Sequence, residues 1–114
     1  DKQLAVATGK KRKGLDWVLE ASASHHYFTI TRCADESGSK PDPLMLRDIL
    51  DYTNQPISQA VFIGDSIYDI QMANRLGMTS IAVNYGTASS SELAAEQPTY
   101  QVDTPQELVA LLCA

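Results

Sequence analysis

Cysteine, positive charge and long apolar runs are all scarce in this chain of 114 residues. Its two cysteines, Cys33 and Cys113, exclude a disulfide framework and lack the spacing of zinc ligands, so the expected setting is reducing and cytoplasmic. Nine Lys and Arg stand against 14 Asp and Glu, a formal net charge of −5. That balance excludes the broad basic face on which nucleic acid or an anionic membrane is held. The longest apolar run, residues 108–114, has seven residues, where a membrane helix needs roughly 20. What is present is 44% hydrophobic and 20% charged residues, the balance of a folded globule and not of a disordered chain. The length gives room for one small domain.

Short apolar runs alternate with amphipathic stretches. Residues 4–8 read as a strand broken by Gly9, and residues 13–22 carry Leu15, Val18 and Leu19 at helical spacing, with Trp17 expected to cover the apolar face. The β-branched and aromatic run 27–31 reads as a second strand, and 34–40 as a polar loop. A helix follows from Asp42 or Pro43 through Tyr52. Residues 60–63 form the third strand. The next helix, with Ile67, Ile70, Ala73 and Leu76 on one face, ends at Gly77. A strand at 80–83, a short helix at 91–96, an edge strand at 99–102 and a final helix opened by a Thr104-Pro105-Gln106-Glu107 capping box complete the pattern. Alternating strands and helices imply an α/β layered fold with a mostly parallel sheet. Such sheets bind ligands beyond the carboxyl ends of their strands, so Thr8-Gly9, the loop to Lys40, Gly64-Asp65-Ser66 and Asn84–Gly86 are the places to inspect.

In Gly64-Asp65-Ser66-Ile67-Tyr68-Asp69 a glycine ends a strand and puts Asp65 at its tip, where a carboxylate suits Mg²⁺, a hard cation that takes oxygen ligands. Asp69 follows one helical turn later on the same side, able to hold a metal-bound water or a lysine. The competing reading is that Asp65 or Ser66 caps the helix. Thr8 and Gly9 combine a hydroxyl with amides at a helix start, which suits an anion, or else form a turn with a capping threonine. Lys10-Lys11-Arg12-Lys13 reads as a solvated surface run in preference to a phosphate-attracting rim. Lys40, held before Pro41 and Pro43, is either a phosphate-neutralising cation or an ordinary loop lysine. His25-His26 has no third ligand nearby and reads as structural.

Together these segments resemble the C-terminal part of a haloacid dehalogenase superfamily hydrolase, in the branch containing phosphoglycolate phosphatases. Leu4-Ala5-Val6-Ala7-Thr8-Gly9 is similar to the second motif of that family, Lys40-Pro41-Asp42-Pro43 to the third, and Gly64-Asp65-Ser66-Ile67-Tyr68-Asp69 with Met72–Met78 to the fourth. The resemblance implies a Rossmann-like, three-layer α/β/α core, incomplete at its N-terminus. It implies that Thr8 and Gly9 contact phosphoryl oxygens, that Lys40 neutralises the phosphate, that Asp65 binds Mg²⁺, and that Asp69 supports the metal shell or Lys40. The chemistry implied is hydrolysis of a small, phosphoglycolate-like phosphomonoester through an aspartyl-phosphate. The Gly-Asp-Ser form of the fourth motif favours a Mg²⁺ phosphatase over a metal-free dehalogenase.

One departure is large. No Asp-x-Asp precedes Thr8, and Asp1 cannot stand in for it, so the nucleophile motif and the cap domain are absent from this sequence. In the family that strand lies between those ending at Thr8 and Asp65. Residues 1–114 therefore read as the C-terminal part of a phosphatase core, inactive alone, and prone to self-association or to pairing with a separate N-terminal segment. The alternative is a non-catalytic module that binds phosphate and Mg²⁺ or another chain. A receiver-like domain is disfavoured, because its acid cluster belongs at the end of the first strand.

Overall fold

A computed structural model describes residues 2–113, so Asp1 and the last residue of the C-terminal apolar run lie outside it. The chain falls into two compact units, Asp1–Pro56 and Ile57–Ala114.

The first unit runs β1 (Ala5–Thr8), α1 (Arg12–Ala21), β2 (Ile30–Cys33), α2 (Ala34–Ser37) and α3 (Leu44–Thr53). β1 and β2 pair in parallel from Ala5 opposite Ile30 to Thr8 opposite Cys33. Leu15, Leu19 and Cys33 pack with Val6 and Phe28 to form a small core, the helix supplying the i, i+4 pair that meets the sheet. Trp17 is not part of it. At 72% exposure it stands in solvent, because it lies two residues from either buried leucine and so on another side of the helix.

Three further expectations need correction here. The second strand starts at Ile30, because residues 25–27 form a 3₁₀ turn in which the Tyr27 and Phe28 amides donate to the carbonyls of Ser24 and His25. The polar stretch after it holds the single-turn helix α2, whose Glu36 carboxylate reaches back to the Cys33 amide at 3.1 Å. Four residues are too few to show an apolar period, so no pattern announced it. Arg12 is not a solvated base. It grips Glu36 through Nε at 3.0 Å and a terminal nitrogen at 2.8 Å, and donates to the Thr31 hydroxyl and carbonyl and to Asp16. The fork of the guanidinium thereby joins α1, β2 and α2. Its paired carboxylate, Glu36, is held below the usual glutamate range chiefly by that hydrogen bond, and burial pushes the Cys33 thiol up.

The second unit runs β3 (Val61–Gly64), α4 (Ile67–Leu76), β4 (Thr79–Val83), α5 (Ser90–Ala95), β5 (Tyr100–Val102) and α6 (Pro105–Leu112). The order is β3-β4-β5 with both pairings parallel, so β5 is the edge strand the sequence implied. β4 is buried from Ser80 to Val83. Its side chains alternate between faces: Ala82 packs with Ile70 of α4 and Leu93 of α5, while Ile81 and Val83 pack with Val102 and with Leu108, Leu111 and Leu112 of α6. Helices thus pack on both faces of β4, as burial of a parallel strand requires, while Val61 and Ile63 of β3 stay exposed. Buried Ser80 and exposed Thr99 satisfy each other, each amide donating to the other's hydroxyl at 3.0 and 3.2 Å.

Helix ends follow the sequence signals closely. Gly77 adopts a left-handed conformation at φ 70° and closes α4, its amide reaching the Asn74 carbonyl while that of Met78 reaches Ala73. The box at Thr104 is only half formed. Thr104 accepts from the Glu107 amide, but the Glu107 carboxylate bonds the Asp103 amide, one residue before the cap. No helix among the described residues is long and apolar enough to cross a membrane.

Candidate active site

The turn after β3 is built by its own two acids. Gly64 ends the strand, Ser66 caps α4, and its hydroxyl accepts from the Asp69 amide at 3.2 Å. The Asp69 carboxylate is buried, 4% exposed, and its Oδ2 accepts from the amides of Asp65 and Ser66 at 3.1 and 3.2 Å. The helix-capping alternative is therefore correct for Ser66, reinforced by Asp69, and leaves Asp65 outside the cap. Asp69 uses that oxygen on the backbone of the turn, so its observed work is to hold the segment that carries Asp65.

Asp65 is half-buried at the carboxyl end of β3. The loop following β4 lies against it. Its Oδ2 accepts from the Thr87 amide at 3.2 Å, and its carbonyl accepts from the Ala88 amide at 3.2 Å and the Thr87 hydroxyl at 3.4 Å. A β-carbon on Gly86 would sit 2.2 Å from the Asp65 Cβ. Asn84–Gly86 follows a strand, which is the feature by which the sequence points to it. Thr87 had no signal of its own, since it donates through a backbone amide that any residue but proline carries.

In the other unit, Thr8 ends β1, and its hydroxyl accepts from the Lys10 amide at 3.2 Å. Gly9 is exposed, and the Arg12 amide at the start of α1 is taken by Asp35 at 3.0 Å. Two of the amides expected to receive an anion thus have partners within the chain. Lys40 is half-buried in the loop between α2 and α3 and precedes a cis peptide bond to Pro41. That loop is anchored at one end by buried Ser37, whose hydroxyl donates to Asp48 of α3, and at the other by Asp42, whose carboxylate accepts from the Leu44 amide at 3.0 Å. Of the residues singled out in the sequence, the structure brings Asp65 and Asp69 into one turn, and places Thr8, Gly9 and Lys40 in the unit of β1 and β2.

Among the described residues no three His, Cys, Asp or Glu side chains gather into a metal cage. The donor at hand, the Asp65 carboxylate, suits Mg²⁺, which is held by one or two carboxylates with water and phosphate oxygens completing its shell.

Comparison with known proteins bears on the family. Residues 1–83 match the family model described as haloacid dehalogenase-like hydrolase. A Pseudomonas savastanoi protein named "Probable phosphoglycolate phosphatase" is 36% identical over 108 residues, which is 94% of this chain and 68% of the relative. A phosphoglycolate phosphatase of P. savastanoi pv. phaseolicola is also 36% identical over 108 residues, but these cover 40% of its length. The crystal structure of a "predicted phosphatase" from Clostridium acetobutylicum superposes with a TM-score of 0.88 at 28% identity, covering 97% of this chain and 52% of that one. The chain thus spans between 40% and 68% of these relatives.

Proposed function

The chain belongs to the haloacid dehalogenase-like hydrolase family, and from that premise we propose that the protein carrying it is a Mg²⁺-dependent phosphatase of a small phosphorylated metabolite resembling phosphoglycolate. The observation that carries this reading is the division of labour between the acids after β3. Asp69 is buried on backbone amides, whereas Asp65 stands at the strand tip with one oxygen engaged by the Thr87 amide. Asp65 would hold the Mg²⁺ ion, which when bound offsets charge on the phosphoryl oxygens. Thr8 and the Gly9 amide would bind phosphoryl oxygens, and Lys40 would neutralise the phosphate. Asp69 would act by fixing the turn. The phosphatase names of the relatives support the reaction class.

The nucleophile in this scheme is the aspartate of an Asp-x-Asp motif, which forms the aspartyl-phosphate and which residues 1–114 do not contain before Thr8. Residues 1–114 alone would then bind phosphate without splitting the ester. β1 and β3 each have one strand partner among the described residues, and Val61 and Ile63 of β3 are exposed. Such edges suit pairing with a separate N-terminal segment or a second copy.

The test is to assay the intact natural protein against a panel of phosphomonoesters with and without Mg²⁺, beside its Asp65→Asn variant. Metal-dependent turnover that vanishes in the folded variant is the expected result. Unchanged turnover would remove Asp65 from the metal site, and a complete lack of turnover by the wild type would leave the non-catalytic module.

A further inference from the structure

We infer that Gly86 and Thr87 are positioning residues for the Asp65 carboxylate, and that Gln101 clamps the loop that carries them. This rests on the reading of Asp65 as the metal ligand. Three observations converge. First, the fit is steric: a β-carbon on Gly86 would fall 2.2 Å from the Cβ, 2.4 Å from the Oδ2 and 2.7 Å from the Cγ of Asp65, so the carboxylate keeps its present place only because residue 86 has no side chain. Second, the fit is directional: the Thr87 amide donates to Oδ2, while the Thr87 hydroxyl and the Ala88 amide hold the carbonyl of the same residue. A carboxylate fixed at one oxygen by a backbone donor presents the other in a defined direction, which is how outer groups orient metal-ligating carboxylates.

Third, the loop itself is tied down from a neighbouring strand. The Gln101 side-chain amide of β5 donates to the Asn84 side-chain oxygen and to the Ser90 carbonyl, both at 2.8 Å, and so spans the two ends of the loop. Asn84 in turn donates to Asp103 at 2.7 Å, and its amide bonds the Val102 carbonyl at 2.8 Å. The chain of contacts therefore runs from β5 through Asn84 and the loop to Asp65.

The experiment titrates the intact natural protein with Mg²⁺ alone by calorimetry and with Mn²⁺ by electron paramagnetic resonance, beside Asp65→Asn, Gly86→Ala, Thr87→Pro, Thr87→Val and Gln101→Leu. Thermal unfolding is followed in parallel. Gly86→Ala and Thr87→Pro are expected to weaken metal affinity roughly 10- to 100-fold and to alter the Mn²⁺ spectrum, while unfolding stays cooperative. Thr87→Val keeps the amide and loses only the 3.4 Å hydroxyl contact to the Asp65 carbonyl, so its affinity should fall by less than that of Thr87→Pro. Gln101→Leu, at a residue whose side chain bonds Asn84 and Ser90, should weaken binding by a smaller factor and is the variant that decides if the first two fail to fold. Wild-type affinity in Gln101→Leu and Gly86→Ala, with binding lost in Asp65→Asn, overturns the positioning role while sparing the metal ligand. Wild-type affinity in Asp65→Asn overturns the metal reading and this inference with it.

Discussion

Gly64 and Asp69 compete for the same space: a β-carbon on Gly64 would lie 2.3 Å from the Asp69 Cβ and 2.6 Å from its Oδ2. Gly64→Ala must therefore push Asp69 off the Asp65 and Ser66 amides. Overpacking together with a buried carboxylate robbed of its donors is expected to cost about 2–4 kcal/mol, measured by urea unfolding. A loss below the error of that measurement would mean that the turn adapts freely.

Ser66→Ala should be milder. It removes one side-chain acceptor from the Asp69 amide and leaves the Asp69 half of the box in place. The expected cost is about 1 kcal/mol, read from the midpoint of the same transition. An effect as large as that of Gly64→Ala would show that the serine does more than cap.

Arg12→Lys keeps the charge and loses the fork. A lysine cannot reach Glu36 twice and Thr31 twice, so the joint of α1, β2 and α2 loosens. The expected cost is about 1–2 kcal/mol, where Lys13→Ala, at an exposed neighbour, should change stability by less than about 0.5 kcal/mol. Equal effects of the two would return Arg12 to the solvated run its sequence neighbours suggest.

Glu36 gives this joint a pH dependence of known sign. Its hydrogen bond to Arg12 lowers its folded pKa. The stabilisation is thus fully present above the unfolded value, near 4.3, and is lost as the pH falls through the lower folded value. Unfolding midpoints measured between about pH 6 and pH 3 should converge for the wild type and Glu36→Gln at the acid end. A gap that persists unchanged there would assign the effect to shape and not to charge.

The α/β class and the positions of most elements were legible because β4 carries Ile81, Ala82 and Val83 in succession and α4 carries its apolar residues at helical spacing between Ser66 and Gly77. Asp65 was legible for the same reason, as an acid at a strand tip. What escaped notice was set by distant partners. α2 exists through Glu36 and Arg12, 24 residues apart. The exposure of Trp17 depends on which side of α1 the sheet occupies, and composition does not state that. Thr87 and Gln101 act through an amide and through contacts 17 and 11 residues away, which no local pattern displays.

Asp65 rests on residues whose contribution is a backbone amide or the lack of a side chain, and this inverts the usual map of substitution tolerance. Thr87 can change to any residue that retains an N–H and still keep the donor to Oδ2, which is common to every amino acid except proline; only the 3.4 Å hydroxyl contact to the Asp65 carbonyl depends on its side chain. Gly64 and Gly86 accept nothing larger, since the first added carbon already overlaps a carboxylate. In a survey of all substitutions across residues 64–88, two of the deepest minima would fall at the positions with the least chemistry of their own. Drift in sequence around this turn is thereby free in side-chain identity and locked in volume.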